Sequence, residues 1–506
     1  MKSLRIVWIL IFIIGLGVRS TELFHPIDTT EWRESDVSSI ARNYCRNGMD
    51  FFHPQIDWGG KGTGYTESEF PLYPYLIALS YKLFGLWEPT GRIISFLFSL
   101  GTMIIFFRLS RYLFIPRTAI AVSSFFTLSP LLMVTSSTIQ SESMMFFFYI
   151  CAAYSFIHWV DSKSNEYYLS TFIFTGLALL CKITAINIGI LFALIIIINK
   201  GWKFLLKPKV ILLGIVSVLP SVIWYTYSHT FYTRYGNSLG LSNQYPWIGW
   251  DFFTNPLFIR GITKQELFNI WTFSGPFIVL MALLFTKIIK RESIIFPVCW
   301  LVAVSIFYFI AARTTSSTSA YYYHIFSIPS VSMLLGISVI EIFDKYFPSM
   351  KLRCKPSVDI PNILKSMAII FILFLLVSFY VASSFKYLII SKHSVIKTSD
   401  FYACKNNLLG IIPQGSMILV TGGICSNGKY LNAYNASYFF YWLDRKGYNI
   451  CIDDQSEENV LGFKEKGAEY FIAEIHAMRQ KQGFEELMRK RFKTLFEGNG
   501  IILFKL

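Results

Sequence analysis

The sequence predicts a polytopic α-helical membrane protein of about eleven spans, followed by a small C-terminal α/β domain. Composition is the first reason. Of 506 residues, 54% are hydrophobic and only 15% charged, too little charge to cover a soluble surface of that size. Patterning is the second, because apolar runs near the ~20 residues that cross ~30 Å of hydrocarbon recur as far as about residue 386. The third is a change of character after residue 389, where strand-like and helical stretches alternate. The net charge of +15 does not point to nucleic acid, since most Lys and Arg fall in short loops between apolar runs, as in cytoplasmic loops. The eight Cys form no CxxC pair and no zinc-ligand spacing.

Residues 1–389 are the expected membrane domain. Lys2 and Arg5 precede an apolar stretch to Gly17, and no small-x-small cleavage site follows. This reads as an uncleaved first span with its N-terminus inside. A polar loop, 20–88, comes next and carries Asp28, Glu31, Glu34, Asp36, Asp50, Asp57, Glu67 and Glu69 among Arg33, Arg42, Arg46, Trp32 and Trp58. Within it, Asp36 to Arg46 is expected as a short helix laying Val37, Ile40, Ala41 and Tyr44 on the bilayer surface. The run Gly59 to Gly64 reads as a mobile turn, because it lacks the GxxxxGK[ST] phosphate-loop pattern.

Pro71 to Trp87 is expected to be interfacial. The remaining spans are then 90–108, 118–136, 142–160, 168–181, 184–199, 209–228, 271–288, 294–312, 322–341 and 365–386. This arrangement puts Arg108, Arg111 and Arg117, the lysines from Lys200 to Lys209, Lys287 to Arg291 and Lys345 to Lys355 inside. The polar loop, the segment Gln140–Glu142 and the loop 229–270 then share the outer side. So does the tail, 390–506, with strands at Ser416–Thr421, Glu469–Glu474 and Gly500–Lys505 and a helix at Asn435–Gly447. Cys425 and Cys451 are the expected disulfide pair in an oxidising compartment, leaving Cys404 over.

The polar loop is the candidate active site, since a rigid scaffold places its chemistry on loops. A carboxylate at the interface can take an acceptor proton while cations hold a phosphate leaving group. A merely solvated loop is the plain alternative, although it would not need the interleaved Trp, Tyr and Pro. Glu142 opens an apolar span, either facing a cavity or completing a helix N-terminus. Lys182, between two spans, is a snorkelling anchor or a phosphate contact. Arg313 and Tyr321-Tyr322-Tyr323-His324 form an aromatic belt or line a polar site. Loop 229–270, with Tyr245, Trp247, Trp250, Asp251 and Arg260, is expected to shape acceptor choice.

The stretches WRESDVSSIAR, ESEFPLYPYLIALSYKLFG, Ser129 to Glu142, GLALLCK and YYYHIFSIP together resemble the GT-C membrane glycosyltransferases of the protein-mannosyltransferase and aminoarabinose-transferase superfamily, in the bacterial envelope-glycan branch. The likeness covers the layout of residues 1–390. It implies an inverting glycosyltransferase of the bacterial cytoplasmic membrane with an extracytoplasmic site. Such an enzyme moves a hexose or pentose from a polyprenyl-phosphate donor to a glycan or lipid acceptor such as lipopolysaccharide. An outer site has no ready nucleotide sugar, in keeping with that donor.

The resemblance assigns the base to Asp36, with Glu34 as the alternative because the aminoarabinose-transferase acidic pair lies nearer Arg33-Glu34. The family's second acid falls on Glu142. Its Lys-Pro-Pro-Leu motif is replaced by Glu69-Phe70-Pro71-Leu72, so donor-phosphate contacts are assigned to Arg33, Arg42, Lys182 and Arg313. Glu69 and Glu67 orient an acceptor or hold a divalent cation; no other cofactor is expected. Tyr73, Gln140, Tyr322 and His324 complete the substrate side. The expected partners are the lipid-linked donor, the glycan acceptor and membrane lipids. A transporter or flippase would show internal repeats with broken midplane helices, and none is evident. A ligase of lipid-linked glycans would share the donor, and a non-catalytic scaffold would tolerate neutral residues at positions 34, 36 and 142.

Overall fold

The structure is a computed structural model and describes residues 2–288, 292–350, 360–395, 399–428, 430–433 and 435–506. Helices α1 (Lys2–Ser20), α2 (Trp32–Arg46), α3 (Leu72–Phe84), α4 (Pro89–Leu113), α5 (Pro116–Thr127), α6 (Pro130–Thr135), α7 (Glu142–Ser162), α8 (Asn165–Cys181), α9 (Ile188–Lys200) and α10 (Pro208–Tyr235) build the first half. Helices α11 (Pro256–Glu266), α12 (Gly275–Phe285), α13 (Ile295–Ile310), α14 (Ala312–Thr315), α15 (Ile328–Met350) and α16 (Ile360–Val395) follow.

Among the described residues, seven helices are long and apolar enough to cross a membrane: Pro89–Leu113, Glu142–Ser162, Ile183–Lys200, Pro208–Tyr235, Glu292–Ile310, Thr318–Phe347 and Pro361–Tyr387. An eighth arises if Pro256–Trp271 and Gly275–Phe285, bent by 83°, count as one broken span. Eleven spans were expected, and the shortfall has local causes. The run 118–136 breaks between α5 and α6 ahead of Pro130, whose ring cannot continue a helix, and α8 has 17 residues.

Helix ends carrying the basic loops are tied together. Tyr112 donates to Asp161 at 2.7 Å, Arg117 pairs with Asp344 at 2.9 Å, and Tyr168 donates to the Lys209 carbonyl at 2.9 Å. Lys345 reaches the Phe285 carbonyl at 2.6 Å. The opposite end carries α2, α3 and the tail. At 13 residues, α3 is too short to span, about 20 Å at 1.5 Å per residue. Its buried face (Tyr73, Ile77, Ala78, Tyr81) packs inward, while Leu79, Leu83 and Phe84 are exposed. The apolar face of α2 meets α3 rather than the bilayer surface: Ile40, Ala41 and Tyr44 are buried, and the rings of Tyr44 and Tyr75 meet edge-on at 5.4 Å. That helix also begins at Trp32, one turn before the expected start.

The tail adds α17 (Lys405–Ile411), α18 (Ser437–Leu443) and strands β1 (Ile418–Thr421), β2 (Ser426–Asn427), β3 (Tyr430–Leu431), β4 (Gly447–Ile450), β5 (Tyr470–Glu474), β6 (Lys493–Gly498) and β7 (Ile501–Lys505). A five-stranded sheet runs β4-β1-β5-β7-β6, with β4, β1 and β5 parallel and the other pairings antiparallel. Every residue of α18, SYFFYWL, is buried, because both its faces are covered by the sheet domain and by the polar loop. Cys425 and Cys451 form a disulfide, and Cys404 is a buried free thiol.

The glycine run, expected as a mobile turn, is a docked contact. Gly60 donates its N–H to the Gly447 carbonyl at 2.8 Å, and Gly447 donates to the Asp57 carbonyl at 3.0 Å. Gly60 has φ of +72°, and a Cβ there would lie 2.2 Å from the Tyr448 ring. Only glycine meets both demands.

Candidate active site

Helix α2 is the frame of the site. Its 3.6-residue period puts Arg33 and Asp36 on one stripe and turns Glu34 about 100° away, toward α4. Asp36 is 1% exposed. Trp58 Nε1 donates to its Oδ1 at 2.9 Å, and Asn435 Nδ2, from the tail, donates to its Oδ2 at 2.5 Å. Burial pushes the Asp36 carboxyl up to about 7, with nearby Asp57 acting in the same direction; the two hydrogen bonds and Arg33 oppose the rise. Both donors are neutral and neither ion-pairs with it, so Asp36 is a carboxyl poised to exchange a proton near neutrality.

Beside it lies a buried charge cluster. Helix α8 ends at Cys181, and Lys182 is extended (φ −161°, ψ 119°), which turns its side chain inward. At 1% exposure it does not snorkel. Its amine bonds Glu142 Oε1, stands 3.7 Å from Glu69 Oε1, and sits over the rings of Tyr322 and Tyr323 at 4.5 and 4.9 Å. Arg33 approaches Glu69 Oε1 at 4.0 Å and stacks on Trp32 and Tyr322 at 4.7 and 5.4 Å. Ser141 donates to the other Glu69 oxygen at 3.0 Å. Glu142 is the first residue of α7, where the helix dipole favours an anion, and its Oε2 is buried with no hydrogen bond among the described residues.

Two cavities meet here. A small one of about 50 Å³ is lined by Trp32, Arg33, Asp36, Glu69, Tyr73 and Ser141, among others. A larger one, about 500 Å³, is lined by Glu31, Trp32, Arg33, Gln140, Lys264 and Tyr322, with amides and hydroxyls from Gln265, Asn269, Thr318 and Ser319. Trp32 and Arg33 belong to both. The larger cavity mixes flat aromatic faces with neutral polar groups and cations, a lining suited to a sugar joined to an anion.

The remaining expected site residues lie elsewhere. Glu34 accepts both guanidinium nitrogens of the fully buried Arg92 at 2.8 and 2.9 Å, plus the Ile139 N–H at 3.0 Å. Both oxygens are thus engaged with Arg92 or the Ile139 N–H, which gives Glu34 a buried structural pairing that Asp36 lacks. Arg42 is held by Asp57 at 2.7 Å, Asp444 at 3.2 Å and the Tyr441 carbonyl at 3.0 Å, which makes it a tether of the tail rather than a phosphate contact. Arg313 clamps loop 229–270 through Asp251 and the carbonyls of Pro246 and Ile248. Glu67 accepts from Ser238, from the Ser242 hydroxyl and N–H, and faces His229 at 3.0 Å. Both of its oxygens are thus engaged within loop 229–270 and by His229. No group of three or more His, Cys, Asp or Glu side chains suited to a metal occurs among the described residues.

His324 is fully buried between Glu266 at 2.6 Å and the Thr315 carbonyl at 2.7 Å. The Tyr73 ring lines the small cavity, but its hydroxyl points away to Gly91 and Ser95. Asn435 and Lys264 had no sequence signal, because neither lies in a motif and each meets the site only through the fold.

The architecture recurs in solved structures that share little sequence with this chain. The structure is similar to ArnT from Cupriavidus metallidurans in the apo state (TM-score 0.65, 13% identity, 99% of this chain and 98% of that one). It is also similar to the same protein bound to undecaprenyl phosphate (TM-score 0.60, 13% identity, 99% and 97%). A further likeness is to the archaeal oligosaccharyltransferase AglB from Archaeoglobus fulgidus in complex with an inhibitory peptide and a dolichol-phosphate (TM-score 0.53, 11% identity, 98% and 74%). Residues 68–225 match the family model described as dolichyl-phosphate-mannose-protein mannosyltransferase. No curated protein sequence matches. The fold is thus shared over nearly the whole chain with ArnT and AglB, and the sequence likeness to the mannosyltransferase family is confined to residues 68–225.

Proposed function

We propose that the protein is an inverting glycosyltransferase that takes a sugar from a polyprenyl-phosphate donor and gives it to a glycan or lipid acceptor. One observation carries this reading: the buried Asp36, its carboxyl pushed up to about 7, lines the small cavity one helical turn from Arg33, which lines both cavities and shares Glu69 and Tyr322 with Lys182. The lipid phosphates bound to ArnT and AglB support the donor class. Excess Lys and Arg at the far end of the bundle supports an extracytoplasmic site, and the apolar helix surfaces support membrane lipids as surroundings.

The mechanism is a single displacement. The acceptor hydroxyl gives its proton to Asp36 as its oxygen attacks the anomeric carbon. The bond from that carbon to the phosphate oxygen breaks, and polyprenyl phosphate leaves with the electron pair. Arg33 and Lys182 stabilise the charge that develops on it. Their Glu69 contacts, 4.0 and 3.7 Å, are long enough for a phosphate oxygen to replace the carboxylate, whereas Glu142 stays bonded to Lys182. Gln140, Tyr322 and Lys264 hold the sugar in the larger cavity.

The test is polyprenyl-phosphate release by purified protein from a panel of polyprenyl-phosphate sugars with envelope glycolipid acceptors. Wild type should release the lipid only with acceptor, and Asp36→Asn should lose at least 100-fold, roughly the scale of one general base. Equal release by Asp36→Asn would overturn the mechanism.

A further inference from the structure

The tail grips the polar loop at many points. Trp442 Nε1 donates to the Ile27 carbonyl at 2.7 Å, Ser437 Oγ to the Trp32 carbonyl at 2.9 Å, and the Ser399 N–H to the Asp28 carbonyl at 2.9 Å. Arg46 makes a fork onto Asp444 at 2.7 and 2.9 Å. These contacts bracket Asp36. The partner on one of its oxygens, Asn435, belongs to the tail itself. The partner on the other, Trp58, sits between Asp57 and Gly60, both clamped to Gly447 of the tail.

We propose that Asn435 is a positioning residue for Asp36, and that docking of the C-terminal domain completes the site by supplying its side-chain amide to one carboxylate oxygen. This rests on Asp36 being the proton acceptor. The amide N–H stabilises the carboxylate form without neutralising it, as an ion pair would, and it fixes the plane of the carboxyl group. Other charged groups facing Asp36 are Arg33 on its own helix, Asp57 from the loop and Glu69 across the small cavity. Arg42 and Asn43 occupy Asp57.

The test uses the full-length protein without substrate. Infrared titration would follow the protonated carboxyl band that Asp36→Asn removes, between pH 5 and 9, in wild type, Asn435→Ala, Asn435→Asp and Arg46→Ala. Losing a hydrogen bond to a charged group should raise the midpoint by about one to two units in Asn435→Ala. The near-isosteric Asn435→Asp, which keeps the side-chain volume if the alanine variant fails to fold, should raise it further because two carboxyls must share a proton. Arg46→Ala removes one half-exposed contact among the many that dock the tail, keeps Asn435 against Asp36, and should leave the midpoint in place. An unchanged midpoint in Asn435→Ala, or an equal shift in Arg46→Ala, would overturn the proposal. Release assays on the same proteins separate it from the functional reading: an active Asp36→Asn enzyme would remove the base while leaving the Asn435 contact standing.

Discussion

At the scale of the residue, one carboxyl is set apart from its neighbours by its partners. A buried Asp36 that accepts from Trp58 and Asn435 and titrates near 7 should give activity that climbs as pH rises through about 7, since the carboxylate is the form that accepts the proton. A pH–rate profile checks this, and a flat profile from pH 5.5 to 8.5 would contradict it. The same shift bears on stability. The folded carboxyl is raised above its unfolded value of about 3.9, so the folded state binds the extra proton and stability falls as pH rises from about 4 through 7. Asp36→Asn should therefore melt higher than wild type at pH 8, by up to roughly 3–4 kcal/mol, with the gain vanishing near pH 4. Glu34 predicts the reverse pattern. Glu34→Ala strands the fully buried Arg92 and should cost about 3–5 kcal/mol, read as lost yield and thermal stability.

At the scale of the element, the join between α7 and α8 is the sensitive point. Lys182→Met leaves Glu142 buried without its cation and should destabilise the protein as well as abolish turnover. Adding Glu142→Gln should restore melting temperature but not activity; restored activity would show that the cation has no part in the chemistry. Elements were readable in the sequence where one physical rule dominates. The apolar runs, the interfacial α3 and strands β1, β5 and β7 follow from hydropathy, length and alternation. Roles within the polar loop were not readable, because they depend on partners the loop does not contain. Glu34 is settled by Arg92, Glu67 by Ser238 and Ser242, and Arg42 by Asp444. No local pattern separates these residues from Asp36. The break of the expected span 118–136 was signalled by Pro130, but the partner at that break was not: the buried Arg19 of α1 donates to the Thr127 carbonyl at 2.8 Å.

At the scale of the whole molecule, the tail and the polar loop act as one body. Enlarging Gly60 to Val should wedge the Tyr448 ring away and cost about 1–3 kcal/mol, measured as a lower melting temperature. Trimming Tyr448 to Ala in the same protein should recover part of the loss. The Cys425–Cys451 disulfide closes a 26-residue separation next to the segment leading to Asn435, and its removal by paired Ser substitutions should cost about 3 kcal/mol. If melting is unchanged under reducing conditions, the bond contributes nothing to holding the tail.

The hydrogen bond between Asp36 and Asn435 joins residues 399 positions apart, and the Trp442 contact with Ile27 spans 415. Translation delivers Ile27 and Asp36 long before Asn435 and Trp442. A nascent chain therefore holds Asp36, Arg33 and most of its bundle before it holds Asn435. The last contacts to form around Asp36 are therefore those that reach it from the tail.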